Sequence, residues 1–520
     1  MEKEFSRSPS RIYRDIFAGS KDKEMKNNLK ILLLIPPGGY YAERWKKGSS
    51  MPSLGICYVA SALEKAGHEV NIIDAYIENI PLKALLSKIK TINPDLAGVT
   101  FTTENRFQAF DLIRGIKKIL PNTLVCAGGP HVTLAADDTL SHIKELDFIV
   151  RGEGEETITE AVRAILENTS FKNIQGLSHR EGEKVYHNPA RALIHDLNKV
   201  PFPAWHLVPW EKYNFKLDVP GRGELRTANM MTSRGCPFGC NFCASTKVWG
   251  RSCRMRTADN IIDEIAILKE RYKIEALWIF DDTFTVSKKR VEEFCNKLIE
   301  KKWNLSWFCE VRVDTVDREL LSLMKKSGCY SIGFGVESGS QKILDEVIRK
   351  RISLEQVKET ANICKELGII SNPFFIFSHP GETKEDIEKT MEMIRTWPKP
   401  SSISLSLLHV YPGTRLEEIA KEKGILPKDF SWTVKNDPRV TILPTAQGHV
   451  PIFTDKLSLS EVSKYIFQWR ERQGYGLLRK IPEAIFNIRS LKDIAKYFIL
   501  FKGYLNYKLS SRTDDLGWHS

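Results

Sequence analysis

Short, wholly apolar runs alternate along the chain with longer stretches in which apolar residues recur every three or four positions. Lys30-Ile-Leu-Leu-Leu-Ile35 is continuous, the pattern of a parallel strand covered on both faces. Pro36-Pro-Gly-Gly39 ends it, and the spacing predicts a helix from Leu54 to Ala66 closed by Gly67. Further strands are predicted at Glu69–Asp74, Leu96–Phe101, Thr123–Ala127 and Asp147–Val150, with helices reaching Ile92 and spanning Phe107–Ile119. The last two strands run into Gly128-Gly-Pro-His131 and Arg151-Gly-Glu-Gly-Glu155. This alternation describes a doubly wound parallel sheet, whose ligands bind beyond the carboxyl ends of its strands. No G-x-G-x-x-G opens the first helix, which weakens a dinucleotide reading.

Residues 171–224 read as a Pro-punctuated linker with a small hairpin around Glu181-Gly182. From 225 to 453 the pattern returns to strands and helices. Met230–Gly235 is a short strand running into a loop, and Ala276–Phe280, Ser306–Arg312, Tyr330–Val336, Asn372–Phe377 and Ser402–Leu408 follow. Asp259, at a predicted helix start, is placed near an N-cap. Each of the later strands carries polar residues at its end: Asp281-Asp282, Arg312, Glu337-Ser338, His379 and Tyr411. Barrels of βα units keep their chemistry at those ends. The expected architecture is α/β: a doubly wound, flavodoxin-like sheet over 29–170, then a partial (β/α)6 barrel, then a helical region over 454–520. Residues 1–28, charged and without period, are expected to form a mobile leader.

With 520 residues the chain is long enough for several domains. Ten cysteines are too few for a disulfide framework, and most of those outside one loop lie in apolar stretches, which suits a reducing, cytoplasmic setting. Met1-Glu-Lys-Glu-Phe-Ser-Arg7 has no apolar core of a signal peptide, and no run reaches the ~20 residues of a spanning helix. The net charge of +12 is dispersed, so no nucleic-acid partner is expected. The exception is Leu477–Arg512, with eight Lys or Arg against Glu483 and Asp493 and aromatic residues between them. That segment reads either as a contact with an anionic membrane surface or as a helical cap on the barrel.

One stretch dominates the chemistry: Cys236-Pro-Phe-Gly-Cys240-Asn-Phe-Cys243. Soft thiolates favour iron–sulfur clusters or zinc. A closed zinc site needs a fourth ligand, and no second CxxC pair follows. Three unrelated core cysteines fit poorly beside Gly235, Pro237 and Gly239, which are turn formers.

This CxxxCxxC loop resembles that of the radical S-adenosylmethionine (SAM) enzymes. The resemblance implies that Cys236, Cys240 and Cys243 hold a 4Fe-4S cluster whose open iron binds SAM, with Phe242 near the adenine. It further implies Asp281 or Asp282 for the SAM ammonium, Arg312 for its carboxylate, and Glu337 with Ser338 for its ribose. The N-terminal half resembles the cobalamin-binding domain that precedes many such cores. Leu54, Gly55, Thr102, Gly128, Gly129, His131, Gly152 and Glu153 are the implied contacts. The DxHxxG that supplies an axial histidine is missing after the first strand, so cobalamin is expected without one. The implied activity is methylation of an unactivated carbon of a small molecule, for which a lipid or isoprenoid is a candidate, with flavodoxin or ferredoxin as electron donor. The alternatives are a radical cyclase of the anaerobic magnesium-porphyrin type and a non-catalytic cobalamin sensor. A methylthiotransferase acting on tRNA would need a second cysteine triad, which the N-terminal half lacks.

Overall fold

The computed structural model describes residues 28–38, 51–435, 437–444 and 449–472. The predicted leader and the basic stretch Leu477–Arg512 lie outside them, as do Gly39, Tyr40 and Tyr41 just after the first strand.

In the first half, β1 (Lys30–Ile35), α1 (Leu54–Lys65), β2 (Glu69–Asp74), α2 (Leu82–Ile92), β3 (Leu96–Thr100), α3 (Arg106–Ile119) and β4 (Leu124–Gly128) alternate as the periodicity requires. Two short helices, α4 (Pro130–Leu134) and α5 (Ala136–His142), lead to β5 (Phe148–Val150) and α6 (Gly154–Leu166). β1 to β5 are parallel in the order 2-1-3-4-5, the flavodoxin-like winding with its switch point between β1 and β3. The predicted hairpin, β6 (Leu177–Glu181) and β7 (Lys184–His187), is not free-standing: it extends this sheet antiparallel at the β5 edge.

The second sheet contains β8 (Lys216–Val219), β9 (Gly223–Met230), β12 (Ala276–Ile279), β13 (Ser306–Glu310), β14 (Cys329–Glu337), β15 (Ile370–Phe377) and β16 (Ser404–Leu407), in the order 16-15-14-13-12-9-8. Six strands are parallel, giving the predicted partial barrel, and β8 adds a seventh, antiparallel to β9. The strand expected at Met230–Gly235 begins earlier, at Gly223. A separate two-stranded ribbon, β10 (Ser233–Arg234) with β11 (Arg254–Met255), flanks the cysteine loop, within which lies α7 (Ser245–Trp249). The outer helices include α8 (Ala258–Tyr272), α9 (Lys288–Lys301), α10 (Arg318–Lys326), α11 (Leu354–Leu367), α12 (Lys384–Arg395) and α13 (Arg415–Glu422). The N-cap of α8 is Thr257, whose hydroxyl accepts from Asn260 N–H, and not Asp259.

Residue alternation sorts each strand between two environments. Leu277 and Ile279 of β12 join the large core under the helices, whereas Trp278 packs on the inner side with Phe308. Phe280 continues that inner side and is 44 % exposed.

Candidate active site

The carboxyl ends of the two parallel sheets face one another. Asn229 Nδ2, near the end of β9, donates to the Pro52 carbonyl 2.8 Å away, ahead of α1. The Tyr411 hydroxyl, beyond β16, donates to Glu104 beyond β3 at 2.7 Å. Arg234, at the end of β10, reaches Glu153 beyond β5 at 2.9 Å. The ends of the two sheets, where the sequence-predicted residues are carried, therefore lie against one another.

Cys236, Cys240 and Cys243 are free and half-buried. Gly235 brings the loop in at φ +92°, against the backbone of Trp249, Gly250 and Ser252, where a side chain would collide. Asn241 pins it from the other side, its N–H donating to Ile348 O (3.0 Å) and its amide to Val347 O (2.8 Å). Phe242 is half-buried and touches two separate apolar clusters.

The donor set suits a cluster better than a single ion. Among the described residues no three His, Cys, Asp or Glu side chains close on one metal ion. Thiolates that each take a different corner of a cubane stand further apart than the ligands of one ion. They remain neighbours: burial pushes the Cys243 thiol up to about 12, and Asp282, Cys240 and Cys236 add to it. At Cys240 burial also raises the thiol, while Lys350 and Arg312 draw it down, so two cations stand ready against thiolate charge.

The two aspartates after β12 divide. Asp281 is buried and saturated: it accepts from Thr232 N–H (2.6 Å) and hydroxyl (2.5 Å), from Ser233 N–H (3.0 Å) and hydroxyl (2.6 Å), and lies 3.5 Å from Arg290. It anchors the approach to the cysteine loop. Asp282 is exposed on the cleft, accepts from the Ser245 hydroxyl at 2.5 Å, and is raised by desolvation.

Arg312 is likewise committed. It makes a bidentate pair with Asp314 (2.9 and 2.8 Å), donates to Lys350 O, and stacks 3.6 Å from the Phe238 ring centre, bracing the cysteine loop from below. Glu337 ends β14 in the left-handed region at φ +68°, buried and 2.5 Å from Lys350 Nζ. Gly335 makes room, since a side chain there would strike both partners. Ser338 is wholly buried and faces the Thr390 hydroxyl, 3.3 Å away.

Two residues here went unremarked in the sequence. Lys350 is one. Glu310, at the end of β13, is the other: burial pushes its carboxyl up to about 7, Asp282 and Glu337 add to that, and Lys350 opposes it. A polar residue at a barrel-strand end was a signal for Glu310; nothing local marks Lys350, which lies after a π-helical turn (Ile343–Ile348).

At the ends of the first sheet, a side chain at Gly55 or Gly152 would meet nothing within 4 Å, and Gly152 has φ +71°. These open backbones are what close approach of a flat macrocycle requires. Gly128 and Gly129 are half-buried between them, Leu54 is buried, and Thr102 is exposed with its N–H on Asn105 Oδ1. His131 and Glu153 do not border that surface. His131 is fully buried among Phe101, Phe110 and Trp432, its Nδ1 3.1 Å from the Thr103 hydroxyl, and burial lowers it to about 3. Glu153 is buried in ion pairs with Arg234 and Arg254.

Comparison with known proteins agrees with this geometry. Residues 230–394 match the radical SAM superfamily and residues 46–162 the B12 binding domain. An uncharacterized methyltransferase of Pyrococcus horikoshii is 35 % identical over 76 % of this chain and 84 % of its own length. The chain belongs to the cobalamin-dependent radical SAM methyltransferase family. The anaerobic magnesium-protoporphyrin IX monomethyl ester cyclase of Rubrivivax gelatinosus is also similar, 29 % identical over 71 % of this chain and 66 % of the relative. The fold is shared with the cobalamin-dependent SAM radical enzyme OxsB in its aqua-cobalamin form (TM-score 0.70, 16 % identity, 97 % of this chain and 78 % of that one). The protein is thus an enzyme whose family uses a 4Fe-4S cluster, SAM and cobalamin. Among the described residues no helix is long and apolar enough to cross a membrane.

Proposed function

We propose that this enzyme methylates an unactivated carbon of a small molecule held between the carboxyl ends of its two sheets. The observation that carries the reading is that the ribbon behind the cysteine loop and the end of β16 are hydrogen-bonded to the loops after β5 and β3, beside the open glycines Gly55 in α1 and Gly152 after β5. When bound, the cluster and SAM supply a 5′-deoxyadenosyl radical for hydrogen abstraction, and cobalamin supplies the methyl group.

Cys236, Cys240 and Cys243 hold the cluster in this reading, and Phe242 flanks the adenine. Asp282 and Glu310 accept the SAM ammonium, Lys350 faces its carboxylate, and Glu337 accepts from the ribose. Asp281, Arg312 and Ser338 support these groups from beneath, because their polar atoms already have protein partners. Gly55, Gly128, Gly129 and Gly152 form the floor for the corrin, with Leu54 and Thr102 beside them, and no axial histidine comes from this sheet. The functional units proceed from the B12-binding part (from 29, its sheet completed by β6 and β7 at His187) through a linker to the radical core (to 453), whose sheet opens with β8 at Lys216.

Trp278, Phe280 and Phe308 give the barrel interior an apolar wall, which favours a substrate with an apolar body. An electron carrier of the flavodoxin or ferredoxin class reduces the cluster. The match over 84 % of the Pyrococcus methyltransferase favours methyl transfer over cyclisation. The test is incubation of reduced enzyme with methyl-labelled SAM and a cell extract: label in a carbon-bound methyl group of a new product is expected, and an unlabelled cyclised product overturns the reading.

A further inference from the structure

A group of four buried charges links the cysteine loop to the loop after β5. Arg234 gives one nitrogen to Glu153 (2.9 Å) and another to Glu155 (2.5 Å). Arg254, its partner across the β10–β11 ribbon, gives Nη1 to both oxygens of Glu153 at 2.8 Å. The second Glu153 oxygen also accepts Ile194 N–H at 2.7 Å. Arg234 lies over the rings of Tyr58, on α1, and Trp249, on α7. All four charged side chains are 8 % exposed or less.

Two arginines against two glutamates balance in charge, yet desolvating such a group is expensive, and an apolar contact of similar shape stabilises a fold at least as well. What the ion group adds is direction. Its fork-shaped hydrogen bonds fix angles as well as distance. Each end also sits beside a cofactor position: Arg234 is two residues ahead of Cys236, and Glu153 directly follows Gly152 at the end of β5.

We propose that Arg234 is a positioning residue which, through Glu153 and Glu155, sets the separation and relative orientation of the cluster loop and the corrin floor. This rests on the functional reading above. The latch makes the cysteine loop and the β5 loop one rigid body, so that the two cofactors keep the geometry that methyl transfer to a common substrate requires. A lysine at 234 keeps the charge but serves only one of the two carboxylates.

The test uses the full chain reconstituted with iron, sulfide and cobalamin, with iron and cobalamin counted per chain. Electron paramagnetic resonance of the reduced protein then reads the magnetic interaction between cob(II)alamin and the reduced cluster. In Arg234→Met both cofactors are expected at the unmodified level while the interaction is shifted or lost; Arg234→Lys and Glu155→Gln are expected in between. A role confined to stability lowers the unfolding temperature and leaves the spectrum as it was, and that result overturns the proposal. If Arg234→Met does not fold, the two milder variants decide by the same spectrum. Unmodified protein that takes up the cluster but no cobalamin contradicts the functional reading itself, and this inference with it.

Discussion

The Lys350 ammonium lies 2.5 Å from a Glu337 carboxylate oxygen, and both side chains are at most 9 % exposed. Glu337 holds this position with a left-handed backbone, a conformation that costs a residue with a side chain about 1–3 kcal/mol. Strain of that kind persists where surrounding contacts enforce it, here at the end of the fourth parallel barrel strand beside the cysteine loop.

Removing one partner strands the other. Lys350→Met is expected to cost about 3–5 kcal/mol of stability, the usual penalty for breaking a buried pair. It is also expected to weaken SAM binding by roughly tenfold or more, since about 1.4 kcal/mol corresponds to a factor of ten. Calorimetric titration of the cluster-loaded protein with SAM checks this, and an unchanged affinity removes Lys350 from the SAM site.

Asp281 and Asp282 are adjacent in sequence and should fail differently. Asp281→Asn replaces the oxygen that accepts both the Thr232 and Ser233 hydroxyls by an N–H donor and is expected to lower iron incorporation and thermal stability together. Asp282→Asn is expected to keep its iron and lose SAM affinity. Iron assays beside SAM titrations of both variants separate the roles; equal iron loss in the two would show that Asp282 also serves the loop.

Glu310 predicts a pH dependence. Its carboxyl is raised to about 7, so between roughly pH 4.5 and 7 the folded state binds more protons than the unfolded one. Stability from this group is present at low pH and declines as pH rises through 7. SAM affinity runs the other way, because a cation prefers the ionised form, and should fall roughly tenfold for each pH unit below 7. Glu382 is raised to about 7 as well and contributes the same sign to stability, so the comparison is with Glu310→Gln. That variant should flatten the SAM profile between pH 5.5 and 8. A profile as steep as the original would assign the titration to another group.

Much of this fold could be read in advance because its strands are short apolar runs closed by glycine or acidic residues. Glu69–Asp74 has the predicted limits, and Leu96, Phe148 and Ser306 begin or nearly begin their strands where the pattern places them. The β8–β9 hairpin was hidden by Lys216, Asp218 and Glu224, which face outward between the buried Leu217, Val219 and Leu225. Helix α6 was masked by its opening, Gly-Glu-Glu, although Ile158, Val162 and Ile165 recur at helical spacing. At the site, the cysteine loop was legible because one segment carries all three thiols. The partners of Arg312, Glu153 and Asp281 were not, since the ion pairs and hydrogen bonds that occupy them join residues brought together only by folding or, as with Asp314, by a local turn.

Cluster assembly should depend on each of the three loop thiols. Cys236→Ala, Cys240→Ala and Cys243→Ala are each expected to lose most of the iron, because two thiolates hold a cubane poorly. Cys253→Ala, outside the motif, is expected to keep it. Full iron in any of the first three would remove that cysteine from the ligand set.

Union of a SAM-cleaving cluster with cobalamin where the two sheets meet underlies the proposed methyl transfer. It is tested most directly by reducing protein that carries both cofactors, adding SAM and measuring 5′-deoxyadenosine. One cobalamin per chain is expected, with formation of 5′-deoxyadenosine that disappears in Cys240→Ala. Cobalamin bound at full stoichiometry with no cleavage of SAM by the reduced, iron-replete protein would contradict it and leave a cobalamin sensor in its place.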